Sequence, residues 1–280
     1  MFMYSPMKRL FVYFIILVLT LSVTVPAQAI TEAKSQAKIE SLSYDVYFHL
    51  GFIWAKAGRG ELSLHKETEF DGTERIHGRL AAKSLSVVEN IMKVRDTLDT
   101  WMTPNYVPRE FIKKTHEGKY NAIERNLYQS VWKDKNAALT PANVKSTTVK
   151  VHRWRKKGND KPTDRDTIHT VSEPAYDMLS TFFALRKLDF DQMKKGDVHK
   201  FASFAGLKKD WIKVQYGGIE KVKLRNGKQY ESHYVLLTFS TKDQDSTPLK
   251  AWLSTTEDHK PLKVIIGLSR IGSVQCEISQ

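Results

Sequence analysis

Nine histidines come first in any search for chemistry, because an imidazole titrates near neutrality and ligates zinc. They stand at His49, His65, His77, His116, His152, His169, His199, His233 and His259. None belongs to an H-E-x-x-H pair, and none has a histidine or cysteine two residues along as a co-ligand, so the sequence offers no zinc site. Asp189 with Asp191, and Asp243 with Asp245, set two carboxylates close together, as hard cations require. Neither pair has the length or the glycine of a calcium loop, so both read as polar loop acids. There is no G-x-S-x-G elbow and no glycine-rich phosphate loop. Gly217-Gly218 reads as a hairpin turn. A carboxylate pair for sugar hydrolysis would come from separate strands, and nothing in the sequence singles one out. No catalytic residue, metal ligand or cofactor is assigned.

Binding residues are the better prospect. Six tryptophans are present, at Trp54, Trp101, Trp132, Trp154, Trp211 and Trp252, mostly in strand-like stretches. Such rings either fill the inner face of a curved sheet or line an apolar cavity. Trp54, Trp101 and Trp252 are the ligand-binding candidates. Arg95 joins them. With Asp96 and Asp99 it either forms a buried ion pair or lines a groove. The most basic run is Lys145–Lys161, KSTTVKVHRWRKKGNDK. On a strand, Val149, Val151, Arg153 and Arg155 share one face, and Thr148, Lys150, His152 and Trp154 the other. Arg153, Arg155, Lys156 and Lys157 are candidates for an anion-binding arm; the alternative is a solvated hairpin tip. The net charge of +13 suits lipid headgroups, lipopolysaccharide phosphates or acidic polymers, and serves solubility in any case.

The N-terminus speaks to compartment. Lys8 and Arg9 precede the apolar run Leu10–Val25, and Ala27-Gln28-Ala29 follows. This is the layout of a secretory signal peptide cleaved after Ala29, which predicts a periplasmic protein. Nucleic acid fits the charge but not that compartment. No later stretch is apolar enough to span a bilayer as a helix, so no spanning segment is expected after cleavage. The one cysteine, Cys276, is expected to be buried in the last strand.

The elements that would position these residues are mainly strands. Tyr44, Val46, Phe48 and Leu50 alternate with Ser43, Asp45, Tyr47 and His49. Further strands are predicted over 53–66, 75–82, 94–101, 109–115, 120–133 and 145–155, with a short helix near Ser84–Met92. A second series covers 198–204, 211–216, 219–224, 232–240, 249–254, 262–268 and 272–278. The exception is Pro174–Leu188, PAYDMLSTFFALRKL, whose apolar residues recur at helical spacing. The expected fold is all-β and mainly antiparallel: a curved sheet or incomplete barrel around one central helix. A single domain is expected over 30–280, with the embedded helix at 177–188.

Four stretches carry a resemblance: FHLGFIWAKAGRGELSL, VRDTLDTWMTPNYVPREF, DMLSTFFALRKLDF followed by KKGD, and LKAWLSTTEDHKPLKVIIGLSRIGSVQCEI. Together the chain resembles the exported bacterial family known only as domain of unknown function 3108. The resemblance brings no activity and implies a curved antiparallel sheet, similar to the half-barrels of periplasmic lipoprotein carriers. The expected function is non-enzymatic: binding or chaperoning an apolar or lipid-like envelope component, with an anionic envelope component as a possible partner. The alternative is an envelope assembly or structural protein that pairs with a partner through a sheet edge. A hydrolase with dispersed carboxylates is the third reading.

Overall fold

The computed structural model describes residues 35–90, 93–241, 244–246, 248–267 and 272–279. The expected signal peptide, 1–29, lies outside the described residues.

The first half is a meander of eight strands joined in chain order. They are β1 (Ser35–Leu50), β2 (Ile53–Thr68), β3 (Glu74–Ser84), β4 (Arg95–Met102), β5 (Pro108–Glu117), β6 (Tyr120–Trp132), β7 (Val144–Lys157) and β8 (Thr163–Val171). The short helix α1 (Ser86–Glu89) sits between β3 and β4. The second half supplies β9 (Ala175–Tyr176), helix α2 (Met178–Leu185), β10 (Val198–Phe204), β11 (Lys209–Lys223), β12 (Gln229–Thr241), β13 (Gln244–Asp245), β14 (Leu249–Ser254), β15 (Pro261–Gly267) and β16 (Ser273–Ser279). β16 pairs antiparallel with β1, matching Tyr44 with Ile278 and Val46 with Cys276, so both halves belong to one sheet. Among the described residues the only parallel pairing is between β9 and β10.

The sheet is nearly closed and barrel-like. Its two ends, β8 and β9–β10, share no backbone ladder among the described residues, and side chains bridge them instead. Thr167 Oγ1 donates to the Leu207 carbonyl at 3.2 Å, and His169 Nε2 bonds the same oxygen at 2.9 Å. Asn126 Nδ2 donates to the Phe204 carbonyl at 3.1 Å.

Period-two alternation sets the core. Leu42, Tyr44, Leu62, Leu64, Leu98, Phe111 and Val149 bury one cluster, and Phe201, Ile212, Val214, Val235 and Leu253 a second. Segment 175–190 touches both: Leu179 and Phe183 belong to the first, Tyr176, Leu185 and Phe190 to the second. A sheet built around one central helix is not what forms. α2 is only eight residues long and ends at Leu185 rather than Leu188. Asp177 starts it firmly, its carboxylate accepting the backbone N–H groups of Leu179 and Ser180. It stops because Arg186 turns away to pair with Glu40 at 2.8 Å and to donate to the Asp258 carbonyl, after which the chain tightens into 3₁₀ turns. Phe183 fits against β3 only because position 78 is glycine; a Cβ there would lie 2.3 Å from its ring.

Candidate functional site

In an up-and-down meander, alternate turns fall at the same end. The β1–β2, β3–β4, β5–β6 and β7–β8 connections therefore share one end of the sheet. The β1–β2 turn is Gly51-Phe52, where Gly51 takes the positive φ of 57° that a two-residue hairpin needs. It leaves Phe52 94% exposed, with Ile53 at 52% and Trp54 at 38%. Val87 of α1 is exposed at this end too. The same end of the sheet carries the exposed cations Lys83, Lys119, Arg155, Lys156, Lys157 and Lys161. Asp160 and Asp164 are exposed at this end as well, so cations outnumber acids among these exposed residues.

Trp54 is the centre of a stack. On β1, Tyr44 and Val46 face the core, so Tyr47 and His49 face away from it. Register sets Tyr47 opposite Lys56 and His49 opposite Trp54. The Trp54 and His49 rings stack at 4.0 Å with an interplanar angle of 17°. A third participant arrives from the distant β11–β12 turn. The Arg225 guanidinium lies 4.4 Å from the Trp54 ring centre and 4.9 Å from that of Tyr47. Each such contact contributes about 0.5–1 kcal/mol at an exposed site.

Two anchors deliver Arg225. Leu224 beside it is buried with Val222 and Leu262, and the Arg225 N–H donates to Glu277 Oε2 at 2.7 Å. Glu277 is itself held by Lys263 at 2.7 Å. Among the described residues, no acceptor meets the guanidinium N–H groups of Arg225. Lys56, by contrast, is paired with Asp45 at 2.7 Å. Burial, with Asp45 next to it, raises the Tyr47 phenol above its ordinary pKa, so this ring stays neutral.

The three candidate tryptophans do not meet. Trp101 lies on the non-core face of β4, stacked on His77 at 4.6 Å and 8°. Trp252 packs on Tyr234 at 5.2 Å and donates its indole N–H to Glu220. Arg95 is exposed at the start of β4, where it pairs with Glu89 and reaches Ser84 Oγ at 3.2 Å. The basic run divides. Arg153 lies on the core face, 3.7 Å from Glu124, with its side chain 10% exposed. Arg155, Lys156 and Lys157 are exposed at the strand's end, Arg155 also donating to Thr163 Oγ1.

A second polar constellation lies around Trp101. His77 Nδ1 meets Glu67 Oε1 and its Nε2 meets Asp99 Oδ1, both at 2.9 Å. Arg75 bonds Glu67, and Arg79 bonds Asp99, each at 2.7 Å. Burial alone would push Glu67 up, but hydrogen bonds from His77 and Arg75 outweigh it and hold the carboxyl at about 2. Burial likewise pushes His77 down, and its bonds to Asp99 and Glu67 outweigh that and raise it. Both ring nitrogens are occupied by carboxylates, so this histidine has no nitrogen left to take a substrate's proton. The network joins β2, β3 and β4.

Sequence reasoning reached Trp54, Arg155, Lys156 and Lys157 but passed over Phe52, Tyr47, His49 and Arg225. Asn226-Gly227 marked the turn, and an arginine directly before it was the one available signal for the last.

The sequence matches the family described as protein of unknown function (DUF3108) over residues 43–279. No curated protein matches. Among solved structures, the chain is similar to a beta-barrel-like protein of domain of unknown function DUF1849 from Brucella abortus. The TM-score is 0.51 at 10% identity, covering 86% of this chain and 95% of that one. The likeness is one of fold.

Proposed function

The chain belongs to the DUF3108 family of proteins of unknown function, and from that premise we propose that it is an exported, non-enzymatic lipid-binding protein of the cell envelope. It docks on an anionic headgroup layer with the β1–β2 end and binds or passes on a lipid-like component there. The observation that carries this reading is the exposed Phe52-Ile53-Trp54 tip, at an end of the sheet that also carries exposed lysines and Arg155. Aromatic and aliphatic side chains standing together in water are unusual on a monomer surface and mark contact sites. Tryptophan suits the boundary between headgroups and acyl chains. Each cation near an anionic surface adds about 1 kcal/mol. The signal-peptide layout of the N-terminus and the net charge support the same setting.

Sedimentation with vesicles tests it. The wild type is expected to bind vesicles containing phosphatidylglycerol, to bind phosphatidylcholine vesicles far less, and to release as salt rises. Phe52→Ser with Ile53→Ser is expected to lose most of the binding and keep the melting temperature. Equal binding by the variant would overturn the reading.

A further inference from the structure

Most surface arginines wander among rotamers, and ordering them costs part of whatever they bind. Arg225 is different. Its backbone is tied to Glu277, its neighbour Leu224 is buried, and its guanidinium lies over Trp54 and Tyr47. The donor edge is thus fixed before any ligand arrives, and among the described residues nothing accepts from it. A planar fork of N–H donors matches two oxygens of one oxyanion, a geometry that lysine cannot reproduce. Two acids on this face, Glu277 and Asp45, are paired with Lys263 and Lys56 at 2.7 Å each, and Glu277 meets Arg225 through its backbone N–H rather than its fork.

We infer that Arg225, held over the rings of Trp54 and Tyr47, is a binding site for a phosphate oxyanion. The same chemistry is offered by the phosphate of a lipid headgroup and by a soluble phosphomonoester. The lipid source rests on the docking reading above; the site itself does not. Trp54 links the two, since it is part of the exposed tip and its ring carries the guanidinium. A lipid held at the tip would present its phosphate to the fork and its chains to Phe52 and Ile53.

The test titrates glycerol 3-phosphate into the full protein, following the Arg225 Nε–H resonance by NMR, and repeats the titration with sodium acetate. Saturable binding of glycerol 3-phosphate is expected, with acetate weaker. Arg225→Lys, which keeps the charge and loses the fork, should weaken it about tenfold, as should Trp54→Leu. In a parallel arm, Arg225→Lys should lower binding to phosphatidic acid vesicles. Glycerol 3-phosphate binding without vesicle binding upholds this site and overturns the docking reading. Vesicle binding with no effect of Arg225→Lys in either arm overturns this site and leaves docking intact. Equal affinity for acetate and phosphate also overturns it.

Discussion

Asp96 gives the most quantitative forecast. It lies on the core face of β4, 1% exposed. Its Oδ1 accepts the His116 N–H at 2.8 Å, while Oδ2 has no partner among the described residues. Burial lifts the carboxyl from 3.8 to about 6. The folded state therefore holds this proton more tightly than the unfolded chain. The contribution to stability is greatest below the unfolded pKa and is lost as pH rises through about 6. A shift of about two units corresponds to about 3 kcal/mol once the group is fully ionised, and about half of that loss is already present near pH 5. Asp96→Asn keeps the acceptor for His116 and removes the titration. Relative to wild type, the variant should gain roughly 1.5 kcal/mol between about pH 5 and about pH 8, read from urea unfolding at both. Stability–pH curves that run parallel for the two proteins would refute the argument.

Gly78→Ala should cost about 1–3 kcal/mol, because the new Cβ would meet the Phe183 ring. Combining it with Phe183→Leu should cost less than the sum of the two changes, measured by thermal unfolding. His77→Phe keeps the ring on Trp101 but breaks the bridge between Glu67 and Asp99, and should cost about 2 kcal/mol. The pH dependence has two limbs. Glu67, depressed to about 2, contributes stability that is present above its unfolded pKa and lost as pH falls through about 2. His77, raised, contributes stability that is lost as pH rises through its folded pKa. The cost of His77→Phe should therefore be largest around pH 5–6 and shrink in alkali, as followed by chemical denaturation.

The strands were legible because they alternate. Tyr44, Val46 and Leu42 share a parity and are buried together, and the predicted 53–66 strand is observed as Ile53–Thr68. Helical spacing located α2, but its length depends on Arg186, whose partners Glu40 and Asp258 lie far away in the chain. Parity also grouped Val149, Val151 and Arg153 on one face. That this face is the core became visible only with Glu124 on the neighbouring strand as a counter-ion. Trp101 shows the opposite case. Its ring is buried on the non-core face, under a network of charged side chains that no local pattern announces. Arg225 reaches Trp54 across 171 positions of sequence, through the pairing of β16 with β1, and periodicity carries no information about that.

Docking through the β1–β2 tip requires that the tip enter the lipid surface. Cys276 is the only native thiol, and burial pushes it up to about 12, so a nitroxide can be placed at Phe52→Cys with little competing label. Electron paramagnetic resonance then reports its collisions with oxygen and with a water-soluble nickel complex. On adding vesicles that contain phosphatidylglycerol, the label should become more accessible to oxygen and shielded from nickel. A label that stays as open to nickel as it is in buffer, while the protein sediments with the vesicles, would show that the tip stays out of the lipid and that docking does not use it.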